Sequence, residues 1–257
     1  MIDPILFNLG PLNVRWYGLI MALAFFFGAI MAVKLGKHRN LKKSDILEFL
    51  IYLIPLSIIF ARLVHVLIPN FTYYMNNPIL IFAIWKGGVS IHGGLLGGII
   101  AAFIFCKRRK IHFYDLADVF IIPLSFGIIF GRIGNLINQE LYGKLTNLPW
   151  GMYFKGVEGK RHPAQIYESI MHAVIFITLL QLYKIKSLPR GFIFWSFISL
   201  YSLFRFFSEF VREGTTFFLN LTIIQWISIP LFILGVIMLY KLKAFKTFIN
   251  QKNTQKI

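Results

Sequence analysis

The sequence predicts an all-α polytopic membrane protein with seven transmembrane helices, and three observations carry that prediction. First, 57% of the 257 residues are hydrophobic and only 14% are charged, against roughly 25% charged in a soluble domain; the mean hydropathy is +0.69. Second, apolar runs approaching the ~20 residues that cross a bilayer recur at 16–33, 46–68, 89–106, 116–137, 166–183, 191–212 and 221–240. Third, the formal net charge of +17 is held in short clusters between these runs rather than along one face. That pattern marks membrane topology and argues against a nucleic-acid partner.

Span one follows a polar start with neither a basic n-region nor a small-residue cleavage site, so no cleavable signal peptide is expected. Span two carries Arg62. Span three opens on His92 and runs through Gly93-Gly94 and Gly97-Gly98 to Cys106, the single cysteine, which sits beside Lys107-Arg108-Arg109-Lys110. One cysteine excludes an internal disulfide, and its place at a helix end reads as packing rather than catalysis. Span four leads from Ile121 through Phe130, broken only by Pro123, Ser125 and Gly127, directly into Arg132. The connection 138–165 contains Gly143, Pro149, Gly151, Gly156, Gly159 and Pro163 with aromatics between them, which predicts a small folded cap. Span five is the least sharply marked, because it opens with Glu168 and His172; span six carries Tyr201, Arg205, Glu209 and Arg212; span seven precedes a polar, frayed tail. No repeat or low-complexity linker interrupts the chain, which reads as one integral membrane domain, 1–257, with the cap inside it.

Basic residues set the orientation. Lys34, Lys37, Arg39, Lys42 and Lys43 follow span one, Lys107 to Lys110 span three, Lys184, Lys186 and Arg190 span five, and Lys241, Lys243, Lys246, Lys252 and Lys256 span seven. The other side holds fewer: Arg15, Lys86, Lys144, Lys155, Lys160, Arg161 and Arg212. The positive-inside rule then places the N-terminus outside and the C-terminus in the cytoplasm.

With that orientation, a rise of about 1.5 Å per residue puts Arg132 about 9 Å below the outer end of span four, Arg62 about 24 Å above the inner start of span two and Arg205 about 21 Å above the inner start of span six. Tyr17 and His92 open their spans from the same outer side, so five polar groups converge on the depth of outer-leaflet phosphate and glycerol. Each has a plainer reading. Arg62 is as readily a structural anchor as a ligand group. His92 can be a satisfied helix-start histidine, the glycine pairs are most simply helix packing, and Tyr17 beside Trp16 fits an aromatic belt. Tyr201, Arg205, Glu209 and Arg212 share one helical face, either as a salt-bridged seam or as a phosphate clamp that Glu209 orients. Two arginines with few acids at their depth favour an anionic ligand. Asn135, Asn138 and Glu140 follow Arg132 at spacings that a helix end can aim into one polar pocket. No P-loop, zinc-ligand spacing, nucleophile elbow or paired-carboxylate motif is present, so metal-dependent hydrolysis and serine chemistry have no support. A transporter or channel for anions, or a lipid-binding scaffold, would use the same arginines; their clustering on one side and the lack of an inverted repeat stand against it.

Four segments carry a resemblance: Ile91 to Gly97, Gly131 to Gly143, His162 to Glu168, and Tyr201 to Arg212, with Val14 to Leu19 as a fifth. Together they resemble the bacterial prolipoprotein diacylglyceryl transferase family over nearly the whole chain, and the run from 131 to 143 is the most specific. Leu136 departs from the family's usual Phe and keeps a bulky apolar residue there.

The resemblance implies a seven-helix enzyme of the bacterial inner membrane that needs no cofactor or metal. It would move the diacylglyceryl group of phosphatidylglycerol to the lipobox cysteine of a preprolipoprotein signal peptide, with its active site toward the outer leaflet. A thioether forms and glycerol phosphate leaves. Another phosphatidylglycerol-consuming transferase would share the phosphate clamp but not these motifs. The expected roles are Arg132 and Arg205 on the lipid phosphate, and Asn135, Asn138 and Glu140 placing the headgroup and the arginine. His92 is the expected general base, its imidazole suited to proton removal near neutral pH. The two arginines alone can acidify the thiol, which is the alternative to that base. Tyr17, Gly143, Tyr201 and Glu209 complete the expected pocket.

Overall fold

A computed structural model describes residues 3–10, 12–84 and 87–254. Lys86 and Lys256, counted among the topology charges, lie outside the described residues, and so do the side chains of Lys243, Lys246 and Lys252. By internal packing the chain divides into two compact units, residues 33–119 and residues 1–32 with 120–257.

In the unit 33–119, α2 (Lys43–Leu67) is followed by a short helix α3 (Phe71–Asn76), a 3-10 turn at Pro78–Phe82 and α4 (Ile91–Arg109). Ser90 caps α4: its Oγ accepts from the Gly93 amide, and its own amide donates to the Ala61 carbonyl at 2.9 Å. Gly93 and Gly97 face α2 so closely that a Cβ would strike the Phe60 and Leu56 carbonyl oxygens and stand 2.8 and 2.9 Å from the Cα atoms of Ala61 and Ser57. Small residues that let two backbones meet are the usual device for helix pairing in lipid, so the packing reading of these glycines holds. Cys106 is buried in α4. Arg62 is 6% exposed. Its Nε donates to the Ile81 carbonyl at 2.7 Å, Nη1 to those of Gly87 and Gly88 at 2.7 and 2.8 Å, and Nη2 to that of Leu80 at 2.5 Å. These four bonds to backbone support the anchor reading of Arg62. Positive φ angles of 86° and 77° at Gly87 and Gly88, available at no steric cost to glycine alone, help turn those carbonyls onto it.

The other unit begins with a hairpin, β1 (Ile5–Leu9) and β2 (Leu12–Arg15), that feeds directly into α1 (Trp16–Gly36). Sequence reading missed it because a search for spans of about 20 residues passes over strands of five. Then come α5 (Phe113–Ile137), α6 (Ala164–Tyr183), α7 (Phe192–Ser208) and α8 (Ile223–Thr254). Among the described residues six helices are long and apolar enough to cross a membrane, and α7, with 17 residues, is a shorter apolar one. The chain is thus an all-helical polytopic membrane protein by its helices, apart from the hairpin. α7 stops at Ser208, short of the predicted 212, because the Phe210 and Val211 amides turn back on Phe207 and Ser208 and the Val211 carbonyl accepts from Lys144 at 2.9 Å. α8 continues past the predicted end at 240, as helix rather than frayed tail, to Thr254.

The segment 138–165 is folded by backbone pairing: Gly143 donates to His162 at 2.8 Å, Thr146 to Lys160 at 2.9 Å, and Met152 and Arg161 exchange bonds of 2.9 and 2.8 Å. Gln139 Oε1 accepts from the Lys155 amide at 2.8 Å.

Candidate active site

The last turn of α5 sets out the first half of the site. Gly134 gives room for an aromatic ring, since a Cβ there would stand 2.6 Å from Cδ2 of Tyr17. Tyr17 is thereby seated on α5 between the positions of Arg132 and Asn135. The helix then ends in a left-handed residue, Gln139, at φ 60°, and Leu141 follows at φ 61°. An L side chain in this region costs about 1–2 kcal/mol, and here the surrounding bonds hold it. The Glu140 amide bonds back to the Asn135 carbonyl at 3.0 Å. That reversal brings the Glu140 carboxylate over the helix end, where its Oε1 accepts from Asn135 Nδ2 at 2.7 Å and Asn138 Nδ2 at 3.3 Å. Asn135 in turn takes a long bond from Arg132 Nη1, 3.4 Å. Asn135, Asn138 and Glu140 are thus hydrogen-bonded together at one helix end.

The second half comes from α6 and α7. Glu168 lies one turn into α6 and is 4% exposed. Its Oε1 accepts from Arg205 Nη1 at 3.0 Å and Arg212 Nη1 at 2.8 Å, and its Oε2 stands 2.6 Å from Arg132 Nε. The Arg132 contact is an ion pair off the hydrogen-bond axis, since that nitrogen has no well-directed bond among the described residues. Arg205 also pairs with Glu209, Nη2 to Oε2 at 2.8 Å, and Arg212 Nε lies 3.8 Å from the same oxygen. The expectation of few acids near the arginines is corrected: Glu168 binds three of them at once. Among the described residues the guanidiniums of Arg132, Arg205 and Arg212 pair directly with two carboxylates, Glu168 and Glu209, while the exposed Glu140 is linked to Arg132 through Asn135. Neither Arg132 Nη2 nor Arg212 Nη2 takes part in these contacts. Guanidinium edges of this kind match phosphate oxygens.

Gly143 pairs with Arg212 as an isolated antiparallel bridge. A Cβ on Gly143 would collide with the Val211 carbonyl oxygen and stand 2.7 Å from His162 Cβ. Glycine is needed here for space, and the close approach ties the 138–165 segment to the chain beyond α7. Tyr201 stacks on Phe197, ring centroids 5.6 Å apart, and lies 5.6 Å from the ring of His172. His92 belongs to the unit 33–119, exposed on the first turn of α4. The structure thus joins Arg132, Arg205, Asn135, Asn138, Glu140 and Glu209 in one network. Glu168 and Gln165 were missed as site residues, and Arg212 was counted mainly as a topology charge. The available signal was a carboxylate inside a span, which calls for a cationic partner.

Beside Arg132 a cavity of about 210 Å³ opens between α5 and α6, lined by Arg132, Ile133, Leu136, Gln165, Ile166, Ser169 and Ile170. One cation, one amide and a hydroxyl face four apolar side chains. Such a slot suits an amphiphile with an anionic end. Among the described residues no group of three or more His, Cys, Asp and Glu side chains is placed to hold a metal ion.

The chain matches the sequence profile of the prolipoprotein diacylglyceryl transferases over residues 4–241. Proteins named phosphatidylglycerol–prolipoprotein diacylglyceryl transferase are similar throughout. That of Geobacter sulfurreducens is 38% identical over 247 residues, covering 92% of this chain and 94% of its own. That of Aeromonas salmonicida is 38% identical, covering 93% and 90%, and that of Nitratidesulfovibrio vulgaris is 40% identical, covering 91% and 92%. With the arginine cluster and the motif from 131 to 143 at its centre, the chain belongs to the prolipoprotein diacylglyceryl transferase family.

Proposed function

We propose that this chain transfers the diacylglyceryl group of phosphatidylglycerol to the lipobox cysteine of a preprolipoprotein signal peptide, the first step of lipoprotein maturation. The observation that carries this reading is the cluster of three guanidiniums, Arg132, Arg205 and Arg212, on two directly paired carboxylates beside a largely apolar slot. A phosphodiester headgroup on acyl chains has the matching charge and shape.

The reaction is displacement at saturated carbon. The cysteine thiolate forms a carbon–sulfur bond to the diacylglyceryl carbon, the carbon–oxygen bond to phosphorus breaks, and the electron pair leaves with the oxygen as glycerol phosphate. Arg132 and Arg205 hold the phosphate and stabilise the charge that grows on it, and Arg212 adds to the same field. Glu168 and Glu209 fix the guanidiniums in place. Asn135, Asn138 and Glu140 orient the headgroup, with Tyr17, Gly143 and Tyr201 shaping the pocket. The thiol proton goes to His92, an assignment that rests on sequence. A His92→Gln variant tests it: loss of the acidic limb of the pH–rate profile supports a base, and an unchanged profile assigns His92 a structural role.

The proposal includes the membrane setting. The whole chain acts as one integral membrane domain of seven spans, with α7 as the short one, the N-terminus outside and the C-terminus in the cytoplasm. It lies in the bacterial inner membrane, the 138–165 segment caps its outer face, and the reaction takes place at the outer leaflet, where secreted substrates arrive.

The test is to incubate purified protein in phosphatidylglycerol micelles with a lipobox peptide and its Cys→Ser twin, then weigh both peptides by mass spectrometry. A diacylglyceryl gain on the cysteine peptide alone is the expected result. No gain with intact lipid and folded protein would turn the reading toward lipid binding or transport.

A further inference from the structure

We infer that the turn joining α7 to α8 is an apolar wedge set into the outer leaflet; the inference goes beyond the transferase reading and rests only on the outward placement of this turn given with it. Between Ser208 and Ile223 the chain reverses at Leu219-Asn220. The Leu221 amide donates to the Phe218 carbonyl at 3.0 Å and the Phe217 amide to the Leu221 carbonyl at 2.8 Å, while Leu219 and Asn220 stand at φ 51° and 55°. Two central residues at positive φ make the tight hairpin turn that asparagine and glycine usually fill. Leucine rarely takes that conformation, so its place at the tip speaks for its side chain rather than for the turn. Phe217, Phe218 and Leu219 are 74%, 57% and 70% exposed.

Three further observations say what meets these side chains. No charged residue stands between Glu213 and Lys241, whereas the connection 138–165 carries Lys144, Lys155, Glu158, Lys160 and Arg161. The turn also folds back on the first turn of α8: Trp226 Nε1 donates to the Phe218 carbonyl at 3.1 Å, and the two ring centroids are 5.7 Å apart. Finally, α7 is short. Its 17 residues reach about 26 Å at a rise of about 1.5 Å each, less than the ~30 Å of a hydrocarbon core, so the chain past Ser208 completes the crossing. Backbone that enters lipid has to satisfy its own polar groups. Beyond the two hairpin bonds, the Thr222 amide donates to Gln225 Oε1 at 2.9 Å and Gln225 Nε2 to the Phe206 carbonyl at 3.2 Å. The partner that fits is lipid at the boundary of headgroup and acyl chain, where aromatic rings settle. The same surface continues along α8 through the exposed Ile223 and Ile227. Seated there, the turn fixes the depth of the outer end of α7, where Arg205 and Glu209 stand.

The experiment uses the full chain in a Cys106→Ala background, with one cysteine introduced at a time as Leu219→Cys, Phe217→Cys or, in the 138–165 segment, Glu158→Cys. Each carries the small fluorophore bimane in vesicles of phosphatidylglycerol and phosphatidylcholine. Quenching by lipids with a nitroxide near the top or near the end of the acyl chain is compared with quenching by iodide in the water on both faces. Leu219→Cys and Phe217→Cys are expected to be shielded from iodide and quenched most by the upper nitroxide, at the depth of about 5–10 Å of interfacial elements. Glu158→Cys is expected to be quenched by iodide and spared by both lipids. Iodide quenching at Leu219→Cys and Phe217→Cys equal to that at Glu158→Cys would overturn the inference. Shielding that arises only when a lipobox peptide is added would also overturn it, and would assign the turn to the peptide. Transfer to that peptide by the same labelled proteins reports on the transferase reading separately. Lipid quenching without transfer keeps the wedge and removes that reading; transfer without lipid quenching does the opposite.

Discussion

Arg62 is buried and the arginines around Glu168 are half-buried, and their surroundings differ in kind. Arg62 gives its Nε, Nη1 and Nη2 to four backbone carbonyls and lies 5.0 Å from the centre of the Tyr74 ring. Its partners are neutral dipoles that need the bonds as much as it does, since unpaired carbonyls away from water are costly. Arg132, Arg205 and Arg212 instead share one carboxylate and keep donors outside these contacts. A guanidinium closed on backbone is a strut. One that divides a carboxylate with two others is poised to exchange it for another anion. Partner chemistry distinguishes these cases.

The comparison can be broken from both sides. Glu168→Gln should have the largest effect, since it removes the carboxylate that three guanidiniums share; breaking a buried pair costs about 3–5 kcal/mol. Chemical denaturation in micelles should show a loss of that order, together with loss of transfer. Arg132→Ala should lower kcat/KM by about 10²–10³-fold while the protein still fractionates with membranes; turnover near wild type would remove Arg132 from the phosphate clamp. Arg62→Lys, which keeps charge but not the fork, should lower stability by about 1–3 kcal/mol and leave transfer per folded molecule within about threefold of wild type. If transfer fell far more than stability, Arg62 would belong with the reactive arginines. Gly97→Ala should have the smallest effect on transfer: its Cβ meets the α2 backbone at Leu56 and Ser57, an overpacking of about 3 kcal/mol that should appear as a lower Tm with transfer per folded molecule unchanged.

Much of this was legible in the sequence because the determinants are local. The helical runs announce themselves by length and hydropathy, and Arg132, Asn135, Asn138 and Glu140 fall within one helix end, where spacing translates directly into position. Glu168 was not legible in the same way. It stands far from Arg132 along the chain, no periodicity links α5 to α6, and its presence in an apolar run reads first as a flaw in the span. The fate of Arg62 was also hidden, because its partners are backbone carbonyls and every residue has one. The left-handed Gln139, which turns Glu140 back onto the helix end, carries no glycine or asparagine to signal it. The early stop of α7 depends on the pairing of Lys144 with Val211, a contact between distant stretches.

Arg62 and Glu168 also differ in when their partners become available during biogenesis. The carbonyls that satisfy Arg62 lie only 18 to 26 residues further along the chain, a stretch made in about one to five seconds at ~5–20 residues per second. α2 can therefore enter the bilayer with its charge cloaked almost as soon as the following loop emerges. Glu168 meets one partner, Arg132, that is already made, but lies 37 and 44 residues ahead of Arg205 and Arg212, so the network is complete only after another full helix. The nascent chain thus neutralises its strut early and assembles its reactive charges late, when most of the helices that shield them have been synthesised.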